Sequence, residues 1–168
     1  MRSDAEKTDT VCVFFGPPHD PVQDEAAFSR FFAENAVHVV CGGTTARLAA
    51  AHLGTQIRTN LSFPEDGLPP VGFLEGAELV TEGILTMNRT LALFEEGAPA
   101  HPDRESGAEK LHALLHGAQT VRFYVGCAVN PSQQDERLPI PCRDKLLIVQ
   151  KISDILKKLG KETEIAVF

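Results

Sequence analysis

The segment Val39-Val40-Cys41-Gly42-Gly43-Thr44-Thr45-Ala46-Arg47 sets two glycines and two hydroxyl side chains between an apolar run and a helical pattern. Two glycines permit a tight turn and close approach by another group, and a threonine can cap a helix. The start of that helix also presents unpaired N–H groups and the positive end of a dipole, which suits an anion. Arg47 adds a charge partner in the first turn. The stretch has neither the lysine of a P-loop nor the GxGxxG spacing of dinucleotide folds, so a capped tight turn stands as the competing reading.

Three other loops have unusual content. Gly16-Pro17-Pro18 follows an apolar run. Thr81, Glu82 and Gly83 offer a carboxylate at a strand end, suited to a general base or to binding a hydroxyl; the alternative is an ordinary turn with Glu82 at a helix start. The loop from Gly126 to Gln134 carries Asn130, Ser132, Gln133 and Gln134, donors and acceptors that suit a polar small molecule or simply water. In open parallel sheets ligands bind where such loops converge, outside the carboxyl ends of the strands. His112 and His116, four apart on a helix with Glu109 nearby, lack the glutamate of HExxH and are not assigned a metal. There is no GxSxG elbow.

The elements that must position these residues alternate. Strands are predicted at Thr10 to Phe15, Val37 to Cys41, Ala77 to Thr81, Thr120 to Val125 and Glu164 to Phe168, with a short one within 55–60. Helices are predicted at Glu25 to Glu34, Thr45 to Leu53, Ile84 to Glu95, Ala108 to His116 and Arg143 to Leu159. In the last, Leu146, Val149, Ile152, Leu156 and Leu159 face inward. The stretch from Ser62 to Gly76, with three prolines and three glycines, reads as a long loop and candidate lid. This alternation predicts one α/β domain over residues 1–168, residues 1–9 being a tail. Its fold class is a mostly parallel central sheet with helices on both faces, a Rossmann-like three-layer sandwich.

Bulk properties narrow the partners. The formal charge of −7 argues against nucleic acid or an anionic membrane as the main partner. The late lysines, Lys145, Lys151, Lys157, Lys158 and Lys161, alternate with apolar residues at helical spacing and read as a solvated face. A polar start, MRSDAEKTD, and the absence of a long apolar run lead to the expectation of a cytoplasmic protein. Cys12, Cys41, Cys127 and Cys142 form no CxxC, and three of them sit in or just after strand-like runs, where reduced buried cysteine is common.

Several of these motifs, in order, resemble one region of a bacterial family. They are Gly16-Pro17-Pro18, Val40-Cys41-Gly42-Gly43-Thr44-Thr45-Ala46, Glu78-Leu79-Val80-Thr81-Glu82-Gly83-Ile84-Leu85-Thr86 and Gly126-Cys127-Ala128-Val129-Asn130-Pro131-Ser132-Gln133-Gln134-Asp135. That region is the accessory domain after the catalytic part of some SpoIIE-like, PPM-type serine/threonine phosphatases, and the resemblance runs from about Val11 to Phe168. The catalytic domain of that family holds two metal ions on clustered aspartates. The nine aspartates here are scattered, so phosphatase activity does not carry over. A looser resemblance, over about 20 residues, links the Gly-Gly-Thr-Thr-Ala loop to sugar-phosphate isomerases and related repressor sensor domains.

The resemblance implies a regulatory domain that senses a small anionic or phosphorylated ligand beside a phosphatase catalytic domain, without catalysis or cofactor of its own. Its ligand residues are expected to be Gly42, Gly43, Thr44, Thr45, Arg47, Thr81, Glu82, Gly83, Asn130 and Gln133. The alternatives are an isomerase-like enzyme with Glu82 as base and a protein interaction or dimerisation module.

Overall fold

A computed structural model describes residues 9–59, 67–68, 70–128 and 142–168. The strands are β1 (Thr10–Phe15), β2 (Val37–Cys41), β3 (Arg58–Thr59), β4 (Gly72–Leu74), β5 (Ala77–Thr81), β6 (Thr120–Val125) and β7 (Glu162–Val167). The α-helices are α1 (Asp24–Ala33), α2 (Gly43–Leu53), α3 (Ile84–Glu95), α4 (Gly107–Gly117) and α5 (Cys142–Lys158). The strands form one sheet in the order β3-β4-β5-β2-β1-β6-β7. β5, β2, β1, β6 and β7 run parallel, while β4 pairs antiparallel with β5 and β3 antiparallel with β4. The chain is therefore the expected α/β sandwich with a mostly parallel sheet.

The unbroken apolar content of β1, β2 and β6 demands cover on both faces. Alternate residues supply it: Val11, Val13 and Phe15 point to one core, Cys12 and Phe14 to the other. The first core packs against α3, α4 and α5 through Met87, Leu91, Leu111, Leu115, Val149 and Ile152. The second packs against α1 and α2 through Phe28, Phe31, Ala46 and Ala49. Topology explains the sorting. The chain moves from β1 to β2 to β5 in one direction and returns past β1 to β6 and β7, and crossovers of a single hand place helices on opposite faces when that direction reverses.

Phe14 anchors the second core, stacked on Phe28 at 4.4 Å and edge-on to Phe31 at 5.3 Å between ring centroids. Past the end of α1, the Glu34 carboxylate ties this layer to the sheet: it accepts hydrogen bonds from Tyr124, Cys12 and Arg122. Burial alone raises a carboxyl pKa, but these three donors outweigh it and hold Glu34 below its ordinary value.

Three departures from the sequence reading exceed one residue. α2 begins at Gly43, not Thr45, so both Gly43 and Thr44 belong to its first turn. The predicted loop from 62 to 76 contains β4, whose Gly72 pairs with Val80; residues 60–66 and 69 lie outside the described residues. β7 begins two residues earlier than expected, at Glu162.

Candidate functional site

The carboxyl ends of β1, β2 and β5 are held side by side. The Gly16 amide donates to the Cys41 carbonyl at 3.5 Å, and the Gly42 amide to the Thr81 carbonyl at 2.9 Å. Gly42 then turns the chain with φ +118°, a conformation open to glycine, and α2 starts at once. Its side-chain-free cap leaves the first turn uncapped by any hydroxyl: the N-cap is Gly42 itself, which corrects the expectation of a threonine cap. Gly83, after β5, packs against Gly42, where an added Cβ would lie 3.4 Å from the Gly42 Cα.

Between these turns is a cavity of about 60 Å³, lined by Phe15, Gly16, Pro17, Cys41, Gly42, Gly43, Thr44, Thr45, Glu82, Gly83, Ile84 and Lys145. A water needs about 10–15 Å³ of such volume, so there is room for a group of roughly four or five heavy atoms, the size of a phosphate. The lining brings together six of the residues expected from sequence: Gly42, Gly43, Thr44, Thr45, Glu82 and Gly83.

Two polar groups at this cavity lack a hydrogen-bond partner among the described residues. Thr45 is 1% exposed, and its Oγ1 makes no hydrogen bond among the described residues. Lys145 is 8% exposed, and among the described residues no carboxylate or hydrogen-bond acceptor is bonded to its Nζ. The Phe15 ring, with its centroid 5.9 Å from Nζ, is its nearest compensation. Burial pushes the Lys145 pKa below the ordinary lysine value. A nearly buried cation beside the amino end of a helix, with no anionic partner among the described residues, is an electrostatic arrangement that an anion completes.

Lys145 is the residue sequence reasoning missed, since the late lysines were read as a solvated face. Lys151, Lys157 and Lys158 are exposed as expected, but Lys145 is buried. The signal was in the spacing: Lys145, Val149, Ile152 and Leu156 fall at i, i+4, i+7 and i+11, one stripe of α5. Leu159, placed on the inward face from sequence, is 52% exposed and lies past the helix end.

The remaining expected residues are placed differently. Arg47 is exposed, and its Nη2 donates to Thr44 Oγ1 at 3.1 Å instead of lining the cavity. Thr81 is buried, with its hydroxyl donated to the Glu82 carbonyl at 2.7 Å. Glu82 lines the cavity, but its Oε2 accepts from the Leu85 amide at 3.0 Å and the Thr86 amide at 3.3 Å. The carboxylate thus caps α3 through Oε2. Asn130 and Gln133 lie outside the described residues.

Contacts between two neighbouring loops close off the crevice at the switch point. Where the sheet order reverses, between β1 and β6, the Gly126 amide donates to the Phe15 carbonyl at 2.9 Å and Ala128 to the Pro17 carbonyl at 3.1 Å. A Cβ on Gly126 would lie 2.1 Å from the Pro17 oxygen, so the two loops touch backbone to backbone. The crevice common at this position is filled, and the cavity sits beside it over β1, β2 and β5. No group of three or more His, Cys, Asp or Glu among the described residues is placed to hold a metal ion. Cys12 and Cys41 are free and buried, whereas Cys127 is disulfide-bonded, which corrects the reading of it as a reduced cysteine. No described helix is long and apolar enough to cross a membrane.

No family model matches this sequence, and no curated protein or solved structure matches it either.

Proposed function

We propose that the chain is a binding domain for a small anion, a phosphate or the phosphoryl group of a small molecule, seated on the first turn of α2. The observation that carries this reading is Lys145, a nearly buried lysine with no anionic partner among the described residues, at the cavity where α2 begins. The first-turn amides of a helix have no carbonyl within that helix to bond, and Thr45 Oγ1 adds a donor already stripped of water. Following the sequence resemblance, the domain's role is regulatory, sensing its ligand beside a SpoIIE-like phosphatase catalytic domain. In the isomerase-like alternative Glu82 would be the base, and its Oε2 would cap α3 at the same time.

Titration calorimetry with inorganic phosphate tests the reading. Thr45→Val keeps the shape and removes the hydroxyl. Hydrogen bonds to charged groups contribute about 1.5–3 kcal/mol each, so the variant should bind about tenfold or more weakly. Unchanged affinity in a folded Thr45→Val protein, or no binding by the native chain, would return Gly42-Gly43-Thr44-Thr45 to a tight turn.

A further inference from the structure

We propose that Lys145 is an acylation site, at which an acyl phosphate seated by its phosphoryl group on the start of α2 transfers its acyl group to Nζ. This rests on the anion-site reading. Three observations carry it. Lys145 lines the same cavity as the α2 turn, so a phosphoryl group held there shares that cavity with the amine. Nζ makes no hydrogen bond or ion pair among the described residues, which leaves the nitrogen free to act once it has lost its proton. The other lysines near the end of the chain differ: Lys151, Lys157 and Lys158 are exposed, and the Lys161 ammonium is held by the carbonyls of His116 and Ala118. Burial also favours the neutral form of Lys145, the form in which an amine is a nucleophile.

The step balances without an added reagent. The Nζ lone pair attacks the acyl carbon and an N–C bond forms. The bond from that carbon to the bridging phosphate oxygen breaks, and its electron pair leaves with the phosphate. The proton lost from nitrogen goes to the departing phosphate, giving an Nζ-acyl lysine and inorganic phosphate. The α2 amides and the Thr45 hydroxyl face the leaving group as its charge grows. Acylation removes the cation that Lys145 brings to the cavity, so the modified domain loses its hold on anions.

The test is competitive acetylation of the intact chain, read site by site by mass spectrometry. With acetyl phosphate, Lys145 should be acetylated about tenfold or more faster than exposed Lys151, since seating the donor replaces a bimolecular encounter. Inorganic phosphate in excess should abolish that preference. Acetic anhydride, which has no phosphoryl group, should instead favour Lys151. Thr45→Val should reduce the Lys145 rate; should that variant misfold, protection by phosphate in the native chain decides the matter. A native protein that binds phosphate by calorimetry yet acetylates Lys145 no faster than Lys151 overturns this inference alone. Failure to bind phosphate overturns the anion site and this step with it.

Discussion

A Cβ built on Gly16 would lie 2.7 Å from the Nζ of Lys145, so the bare backbone after β1 is the space the buried ammonium occupies. Gly16 also has φ +86°, and the same Cβ would lie 2.8 Å from the Gly126 carbonyl oxygen. A residue just after the first strand and one on the last helix thus define one wall of the cavity together. Gly16→Ala is expected to cost about 1–3 kcal/mol of stability through backbone strain and crowding. It should also weaken phosphate binding by pushing the lysine aside. Urea unfolding and calorimetry on the same preparation check both; a variant of native stability and native affinity would show that the amine is not held there.

Lys145→Met separates function from stability. An unpaired buried charge costs free energy, and an apolar side chain of similar length does not, so the variant should be more stable by about 1 kcal/mol or more in phosphate-free buffer at neutral pH. Its phosphate affinity should fall about tenfold or more. A lower melting temperature without phosphate would mean that Lys145 is satisfied in the native protein and that the anion site is misassigned.

The adjacent glycines Gly42 and Gly43 should behave oppositely. Gly42 has φ +118°, and a Cβ there would lie 3.1 Å from Thr45 Oγ1, so Gly42→Ala is expected to destabilise by about 1 kcal/mol or more. Gly43 has an ordinary helical position, and a Cβ there meets nothing within 4 Å. Gly43→Ala should therefore fold at least as well as the native chain, gaining up to about 1 kcal/mol from helix propensity. Thermal melts of the two variants in parallel suffice, and equal losses in both would contradict the placement of the helix start.

Acid sensitivity should trace to His112. It is 1% exposed, its ring meets Phe94 at 4.4 Å, and neither ring nitrogen has a hydrogen-bond partner among the described residues. Burial holds its pKa below the ordinary value of 6.5, His116 and His101 add to this, and Glu109 opposes it. The unfolded chain therefore takes up the proton first as pH falls. The stability this neutral histidine permits is complete above about 6.5 and declines below it, by up to about 1.4 kcal/mol per pH unit. His112→Phe keeps the ring packing and removes the proton site. Urea midpoints measured from pH 7.5 down to 5.5 should fall less steeply in that variant, and parallel slopes would count against the assignment.

Much of the architecture was legible in the sequence, because local pattern and burial coincide in it. The apolar runs Val37–Cys41, Ala77–Thr81 and Thr120–Val125 do lie inside the sheet, between other strands, as their two-sided apolar content requires. The turn Gly42-Gly43-Thr44-Thr45 was legible as a place where backbone and hydroxyls gather, and all four residues do line one cavity. Glu82 was legible as a carboxylate at a strand end, one of whose two readings was a helix start, and its bonds are to the α3 amides.

What the sequence could not supply is distance between parts far apart in the chain. Which loops face each other depends on strand order, and strand order depends on how the crossovers return across the sheet. Lys145 and Gly16 are 129 positions apart by their numbers, and only the passage of α5 over the first core brings the amine above the end of β1. The same holds for Arg47, which local spacing put beside the turn but which the helix surface turns outward to Thr44. The sequence by itself determined the five parallel strands, the helices and the glycine turn, since each follows from a few neighbouring residues. The charge at that turn was decided by the tertiary structure, because a lysine on an apolar stripe acquires its meaning from what the stripe is packed against.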